Sequence, residues 1–254
     1  ALQLKIPLKL IDYEKEYKSK IIKKMFSDYK KGLTPNPDIL CNKIIKFPAL
    51  FNEAKKINAD FIATGHYARI KISKGRAYLI QGKDKTKDQS YFLYDLTEKQ
   101  LSKIIFPVGD LTKSQVREIA RKNNLHNWNK KGTSGICFVG KIDTKEFLKE
   151  NISQKKGKVL SPEKEIIGEH VGSAFFTIGE RVGESKGIFL NSEWKKLHPE
   201  KIYIAAKTQN NLIVAPENHP SLKKKEVKIS NLHLINKEKV NNKKFKAKIR
   251  HLGE

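Results

Sequence analysis

Two cysteines, Cys41 and Cys137, are the side chains of this sequence best suited to covalent chemistry. They lie far apart, so the CxxC spacing of a redox pair or of a zinc site is missing. Cys41 follows Pro35-Asn-Pro-Asp38, and Cys137 stands two residues after Gly135, with Thr133 and Ser134 close by. Prolines two positions apart fix φ and remove backbone donors, so residues 32–42 are expected to form a rigid loop rather than regular structure. A thiol attacks only as the thiolate, and a cation-rich surface increases that fraction. A lone cysteine is more commonly a small buried hydrophobe, and both readings stay open for each of the two.

Asp38 could orient a base or accept a proton, but Pro-Asp is equally turn chemistry ahead of a helix. Thr64-Gly-His-Tyr67 places a glycine and a histidine at the end of an apolar stretch. Gly65 would let a nucleotide approach closely and His66 could contact a base or phosphate; a tight turn with a half-buried histidine explains the same residues. Lys87-Asp-Gln-Ser-Tyr-Phe-Leu-Tyr94 mixes a cation, polar groups and aromatics. Lys87 and Gln89 could hold phosphate or sugar and a tyrosine could stack on a base, whereas Phe92 and Leu93 read as core. His170, His198, His219, His233 and His251 have no metal-ligand spacing and read as surface or packing residues.

Elements that would position these groups follow from periodicity. Residues 14–30 carry Tyr17, Ile21, Ile22, Met25, Phe26 and Tyr29 at helical spacing, and Gly32 can close that helix. A second helix is expected with Phe47, Leu50, Phe51, Ala54 and Ile57 on one face. Residues 7–11 and 59–64 read as strands, and 68–82 as a hairpin around Lys74-Gly75. Thr97 and Thr112 begin capping boxes, and Asp143 caps a later helix. Strands, helices and a polar turn at a strand end make an α/β pattern whose ligands sit beyond the strand ends. From about residue 155 the texture becomes β: strands are expected at 158–160, 173–178, 201–206 and 211–215, then at 226–229, 232–235 and 245–250. The domain expectation is a catalytic α/β part over 1–150, a small β domain over 151–221 and the start of a C-terminal β-barrel over 222–254.

Charge narrows the partners. Of 254 residues, 52 are Lys or Arg and 27 are Asp or Glu, a net charge of +25. Such a surplus attracts polyanions, nucleic acid above all. Most of the cations are lysines in an asparagine-rich chain, which an AT-biased genome would also produce. Two cysteines are too few for a disulfide scaffold. No apolar run approaches the roughly 18 residues of a membrane span, and no secretory leader is visible, so a cytoplasmic setting is expected.

Taken in order, several motifs are closely similar to those of the bacterial tRNA-specific 2-thiouridylases, the MnmA/TrmU family. They are Gly32-Leu-Thr-Pro-Asn-Pro-Asp-Ile-Leu-Cys-Asn-Lys-Ile-Ile-Lys-Phe47, Ala59-Asp-Phe-Ile-Ala-Thr-Gly-His-Tyr-Ala-Arg69, Lys87-Asp-Gln-Ser-Tyr-Phe-Leu93, Phe106-Pro-Val-Gly109, Gly135-Ile-Cys-Phe-Val-Gly140, Gly168-Glu-His-Val-Gly172 and Phe176-Thr-Ile-Gly-Glu-Arg181. The resemblance runs along essentially the whole chain. It implies an adenine-nucleotide-hydrolase-like α/β fold of the PP-loop ATP pyrophosphatases, with a parallel sheet, then a small β domain and a partial C-terminal barrel. It also implies an enzyme that uses ATP, with Mg2+, to adenylate the C2 oxygen of a wobble uridine in tRNA. Sulfur then arrives from a cysteine persulfide, itself loaded by a sulfur-relay or cysteine desulfurase donor. Carried over by residue, Cys137 would hold the persulfide and Cys41 would be the nucleophile, with a Cys41–Cys137 disulfide as one outcome. Asn36, Pro37 and Asp38 would line the target base, and Gly65 would touch ATP. His66, Lys87, Asp88, Gln89, Arg250 and His251 would contact tRNA. A monomer is expected.

The departures are specific. The family's Ser-Gly-Gly-x-Asp-Ser pyrophosphate loop is absent, so the first α/β unit is expected to be missing and the isolated stretch to bind tRNA weakly without hydrolysing ATP. Glu180 stands where glutamine is usual, Gly132 where aspartate is common, and His251 where tyrosine is usual. A non-catalytic basic RNA-binding protein, or an inactive fragment of the enzyme, is the competing reading.

Overall fold

The computed structural model describes residues 1–130, 144–153, 155–236 and 244–248. Cys137, the Asp143 cap, Arg250 and His251 lie outside them. The chain falls into two compact units: Ala1–Ile21, Pro37–Cys137 and Asn231–Glu254 form one, and Ile22–Asn36 with Phe138–Ser230 forms the other.

In the first unit the sheet is parallel, as an α/β fold requires. Strand β1 (Ile62–Ala63) pairs in parallel with β4 (Ile104–Ile105), Ile62 opposite Ile104. Between them β2 (Ala68–Ser73) and β3 (Arg76–Gln81) form the expected hairpin, Ser73 facing Arg76. Lys74 and Gly75 both have positive φ, 50° and 72°, which a two-residue hairpin turn demands. The helix over Phe47–Lys56 lays Phe47, Leu50, Phe51 and Ala54 on a core of Ile62, Ala68, Ala77, Leu93, Leu96, Leu101, Ile104 and Phe106. Ile57, expected on that face, is 70% exposed because the helix has ended. Both capping boxes form: Thr97 accepts from Gln100 N and Thr112 from Gln115 N, with the glutamine side chains answering the cap N–H groups. Gly109 lies where a Cβ would come within 1.9 Å of the Ala68 carbonyl oxygen, so close backbone approach accounts for that glycine.

In the second unit five strands order as β7-β6-β5-β9-β8, where β5 is Gly157–Leu160, β6 Ile166–His170, β7 Ile188–Leu190, β8 Ile202–Thr208 and β9 Asn211–Pro216. All neighbours are antiparallel except β5 and β9, which run parallel. Val159, Ile167, Ile188, Ile204, Leu212 and Val214 are buried. Helices Lys23–Lys30 and Thr144–Asn151 belong to this unit.

Several expected strands do not form. Residues 173–178 make a 3-10 turn, Ser173–Phe175, and Phe175 and Phe176 are buried by it rather than by a ladder. Gly172 and Gly179 take positive φ on either side, which breaks an extended run. Residues 7–11, and the described parts of 226–236 and 245–248, form no strand. A strand exists only as a paired ladder, and these segments meet no partner among the described residues. Two further short strands form: Gly168 and Glu169 interrupt the apolar pattern of β6, and β7 is only three residues long.

Candidate functional site

Cys41 is not in a loop. Pro37–Cys41 is helical and continues through a π-helical stretch, Asn42–Lys46, into Phe47–Lys56. Proline at the first helical position loses only an N–H that would be orphaned anyway, so Pro37 starts the helix instead of forbidding it. Asp38 sits in the first turn, where a carboxylate complements the helix dipole. Cys41 ends that turn and is fully buried. The wide π turn begins at the next residue, and such turns concentrate at working sites.

Asn42 ties this turn to its surroundings. It is 4% exposed, and its Nδ2 donates to the Phe92 carbonyl at 3.1 Å, while its Oδ1 has no hydrogen-bond partner among the described residues. Lys43 adds an ion pair to Asp95 at 2.7 Å. The cysteine turn thereby packs on the Ser90–Leu93 turn, which directly follows Lys87-Asp-Gln89.

His66 is buried at the end of β1. Its ring stacks on Phe47 (centroids 5.7 Å) and meets the edge of Phe106 (6.0 Å), and its Nδ1 lies 2.8 Å from Thr64 Oγ1. Burial, reinforced by the Lys46 charge, holds its pKa down at about 4, so the ring is neutral at physiological pH. It can hydrogen-bond but offers no positive charge to a phosphate. Gly65, next to it, is exposed, and a Cβ there would meet nothing within 4 Å. Neither packing nor backbone angle demands glycine at that position, in contrast to Gly109. The space lies beyond the ends of parallel strands, where α/β folds bind ligands.

The Lys87-Asp-Gln89 segment separates into an exposed cation and two anchored residues. Asp88 is 2% exposed; it accepts from Gly82 N (2.9 Å), Ser90 N (3.2 Å) and Ser90 Oγ (2.8 Å), with Lys248 Nζ at 3.7 Å. Gln89 Oε1 accepts from Tyr67 N at 3.0 Å, and Gln89 N donates to Tyr67 O at 2.8 Å. Only Lys87 points its charge outward. The first unit thus gathers Pro37, Asp38, Cys41, Gly65, His66, Lys87, Asp88 and Gln89 around one core, with Asn36 as the last residue of the other unit's segment. Sequence reasoning missed Asn42, Thr64 and Phe47 as the parts that hold the others; Asn42, polar inside an apolar helical run, was the available signal.

Against known proteins, the family model described as tRNA methyl transferase HUP domain matches residues 1–141. The chain belongs to this family. A companion model, the tRNA methyl transferase PRC-barrel domain, matches residues 145–215, so the expected HUP-type α/β fold and the following β domain both hold. Proteins similar to this chain carry a different chemical name. The chain is 43% identical to "tRNA-specific 2-thiouridylase MnmA 1" of Geobacillus kaustophilus over 93% of its length and 63% of that protein. It is 43% identical to the MnmA of Mycoplasmopsis synoviae over 100% of its length and 66% of that protein. It is 44% identical to MnmA 2 of Aliarcobacter butzleri over 88% of its length and 62% of that protein. The chain therefore spans a little under two thirds of the length of the curated relatives it matches. Among the described residues no helix is long and apolar enough to cross a membrane, and no cluster of His, Cys, Asp and Glu has metal-binding arrangement.

Proposed function

We propose that the protein containing this chain is a tRNA-uridine 2-sulfurtransferase, in which Cys137 carries a persulfide and Cys41 acts on it as the nucleophile. The observation that carries this reading is the Cys41 turn. It joins Pro37, Asp38 and a buried cysteine at a helix N-terminus, with a π turn behind it and the Ser90–Leu93 turn, which follows Lys87-Asp-Gln89 in sequence, against it. Relatives 43% identical to this chain are named tRNA-specific 2-thiouridylases. Uridine C2 is a poor electrophile, and ATP would convert its oxygen into a leaving group. Gly65 leaves room for a nucleotide to approach the strand ends.

This chain's own residues divide the work as follows. Asn36, Pro37 and Asp38 line the extruded base, which must leave its stack to reach the thiols. Lys87 supplies a phosphate contact, Asp88 and Gln89 fix its backbone, and neutral His66 contacts RNA as a hydrogen-bonding group. Arg250 and His251 add a second RNA contact. Sulfur reaches Cys137 from a persulfide donor protein, and the three-part division at about 150 and 221 is retained. The enzyme acts as a monomer in the cytoplasm.

The test is thiolation of tRNA by the full-length protein and by its Cys41→Ser and Cys137→Ser variants, read by mass spectrometry of 2-thiouridine. Each substitution is expected to abolish product while leaving tRNA binding in place. Two fully active variants would overturn the reading and leave a basic RNA-binding protein.

A further inference from the structure

Only 6 of the chain's 52 basic residues are arginines. In so lysine-biased a chain, composition explains a lysine but not an arginine, so each arginine needs a reason of its own. Arg69 pairs with Asp110 (3.3 Å) and Arg76 with Glu98 (3.2 Å). Arg117 and Arg121 are exposed and form no ion pair among the described residues. Both lie on the helix Lys113–Lys122, and with Lys113 they stand at i, i+4 and i+8, which is one edge of a helix. Val116 and Ala120 on the adjoining face are half-buried. Arg117 makes one long contact, from Nη2 to the Lys130 carbonyl at 3.4 Å. The helix has a single acid, Glu118, which pairs with Lys122 at 3.0 Å and is attracted more weakly by Arg121.

This helix begins against the loop that carries Lys87, within the first unit. Lys113 N donates to Asp84 Oδ2 at 3.0 Å, and Lys87 N donates to the Asp84 carbonyl at 3.0 Å. Lys113 Nζ lies 5.6 Å from the centroid of the Tyr67 ring, a cation–π contact, and the Tyr67 backbone is bonded in both directions to Gln89. Lys83, Lys85 and Lys87 are exposed on the loop, and the Asp84 carboxylate among them is engaged by Lys113 N and by Thr86. From Lys113 to Arg121 the helix rises about 12 Å, which suits a polyanion running along the edge better than a single bound phosphate. We propose that the Lys113, Arg117 and Arg121 edge is a docking surface for the phosphate backbone of tRNA, continuous with Lys87. Each arginine takes a phosphate with its planar guanidinium fork, which a lysine cannot reproduce.

The proposal rests on the reading of tRNA as substrate, so binding and thiolation are measured separately. In the full-length protein, the Kd for a tRNA transcript is measured by filter binding across a salt series, and thiolation in single turnover at saturating tRNA. Arg117→Ala and Arg121→Ala are each expected to weaken binding about fivefold. Together they are expected to flatten the slope of log affinity against log salt by about 1.4–1.8, the share of two phosphate contacts. The double lysine variant, Arg117→Lys with Arg121→Lys, is expected to restore the slope but only part of the affinity. The thiolation rate at saturating tRNA and the KM for ATP are expected to stay within about twofold, since the contact is made equally before and during reaction. Alanine favours helix more than arginine does, so the variants keep the fold. Lys99→Ala, at an exposed position on the helix Glu98–Leu101 of the same unit, is the control for loss of charge alone. Affinity falling no further than in that control would overturn the proposal, and so would a raised KM for ATP with tRNA affinity intact. A wild-type protein whose tRNA binding depends on the two arginines but which never thiolates tRNA would retain the surface and reject the enzymatic reading. Thiolation by the wild type, with an unchanged salt slope in the double alanine variant, would do the reverse.

Discussion

Burying His66 makes acid a specific threat to the first unit. Its pKa is about 4 in the folded protein against an ordinary 6.5, chiefly through burial and secondarily through Lys46. A group whose folded pKa is depressed binds protons more readily when unfolded, so stability rises with pH across that interval. The contribution is complete above about pH 6.5 and is lost as pH falls from 6.5 towards 4. At roughly 1.4 kcal/mol per pH unit the whole effect is about 3 kcal/mol, and by pH 5 about 2 kcal/mol of it is gone. Urea unfolding at pH 8, 6.5 and 5 measures this directly, with His66→Gln as the comparison. The variant begins less stable, having lost the Phe47 stack and Phe106 contact, but its stability falls less on acidification. The difference between the two proteins is expected to shrink by about 2 kcal/mol between pH 8 and pH 5. Parallel pH profiles for the two proteins would refute the reasoning and show that the ring is solvated or charge-paired.

Asp88→Asn removes the anionic acceptor of Gly82 N, Ser90 N and Ser90 Oγ; a loss of about 1.5–3 kcal/mol is expected in urea unfolding, with tRNA affinity falling only through disorder of the Lys87 loop. Gly109→Ala pushes a Cβ into the Ala68 carbonyl and is expected to destabilise by about 2 kcal/mol or more, whereas Gly65→Ala should leave stability within about 0.5 kcal/mol and lower nucleotide affinity, measured by isothermal titration. Cys41 is fully buried, so its reaction with a disulfide reagent is expected to be at least about 100-fold slower than that of an exposed thiol, and to speed up in 3 M urea; immediate labelling in native buffer would contradict the packing.

What could be read beforehand was local. The Lys74-Gly75 turn, both capping boxes and the Phe47, Leu50, Phe51 and Ala54 face depend on neighbours within a few residues, and all are present. Strands were read less well, because a strand is fixed by the partner it meets. Ile62–Ala63 is short since, among the described residues, only Ile104–Ile105 lies alongside, and Gly168 and Glu169 interrupt the apolar pattern of β6. Gly168 is there for a reason sequence cannot show: a Cβ would sit 2.1 Å from the Phe189 carbonyl oxygen of β7.

The candidate site shows the same division between residue identity and placement. Motifs point to Asn36, Pro37, Asp38, Cys41, Gly65, His66 and Lys87-Asp-Gln89, but prolines two positions apart predict a loop, whereas Pro37 begins a helix. That difference bears on chemistry. A cysteine on an open loop is exposed and reactive at rest; a cysteine closing the first turn of a packed helix is protected until that turn loosens. The π stretch starting at Asn42, and Asn42 Oδ1, which has no hydrogen-bond donor among the described residues, mark where loosening is cheapest, since the hydrogen-bond ladder is already irregular there. A base inserted against Asn36, Pro37 and Asp38 would press on this turn. Protection of the Cys41 thiol without RNA and its release with RNA would then be one event, and on the sulfurtransferase reading that would keep the nucleophile from reacting with stray oxidants between turnovers.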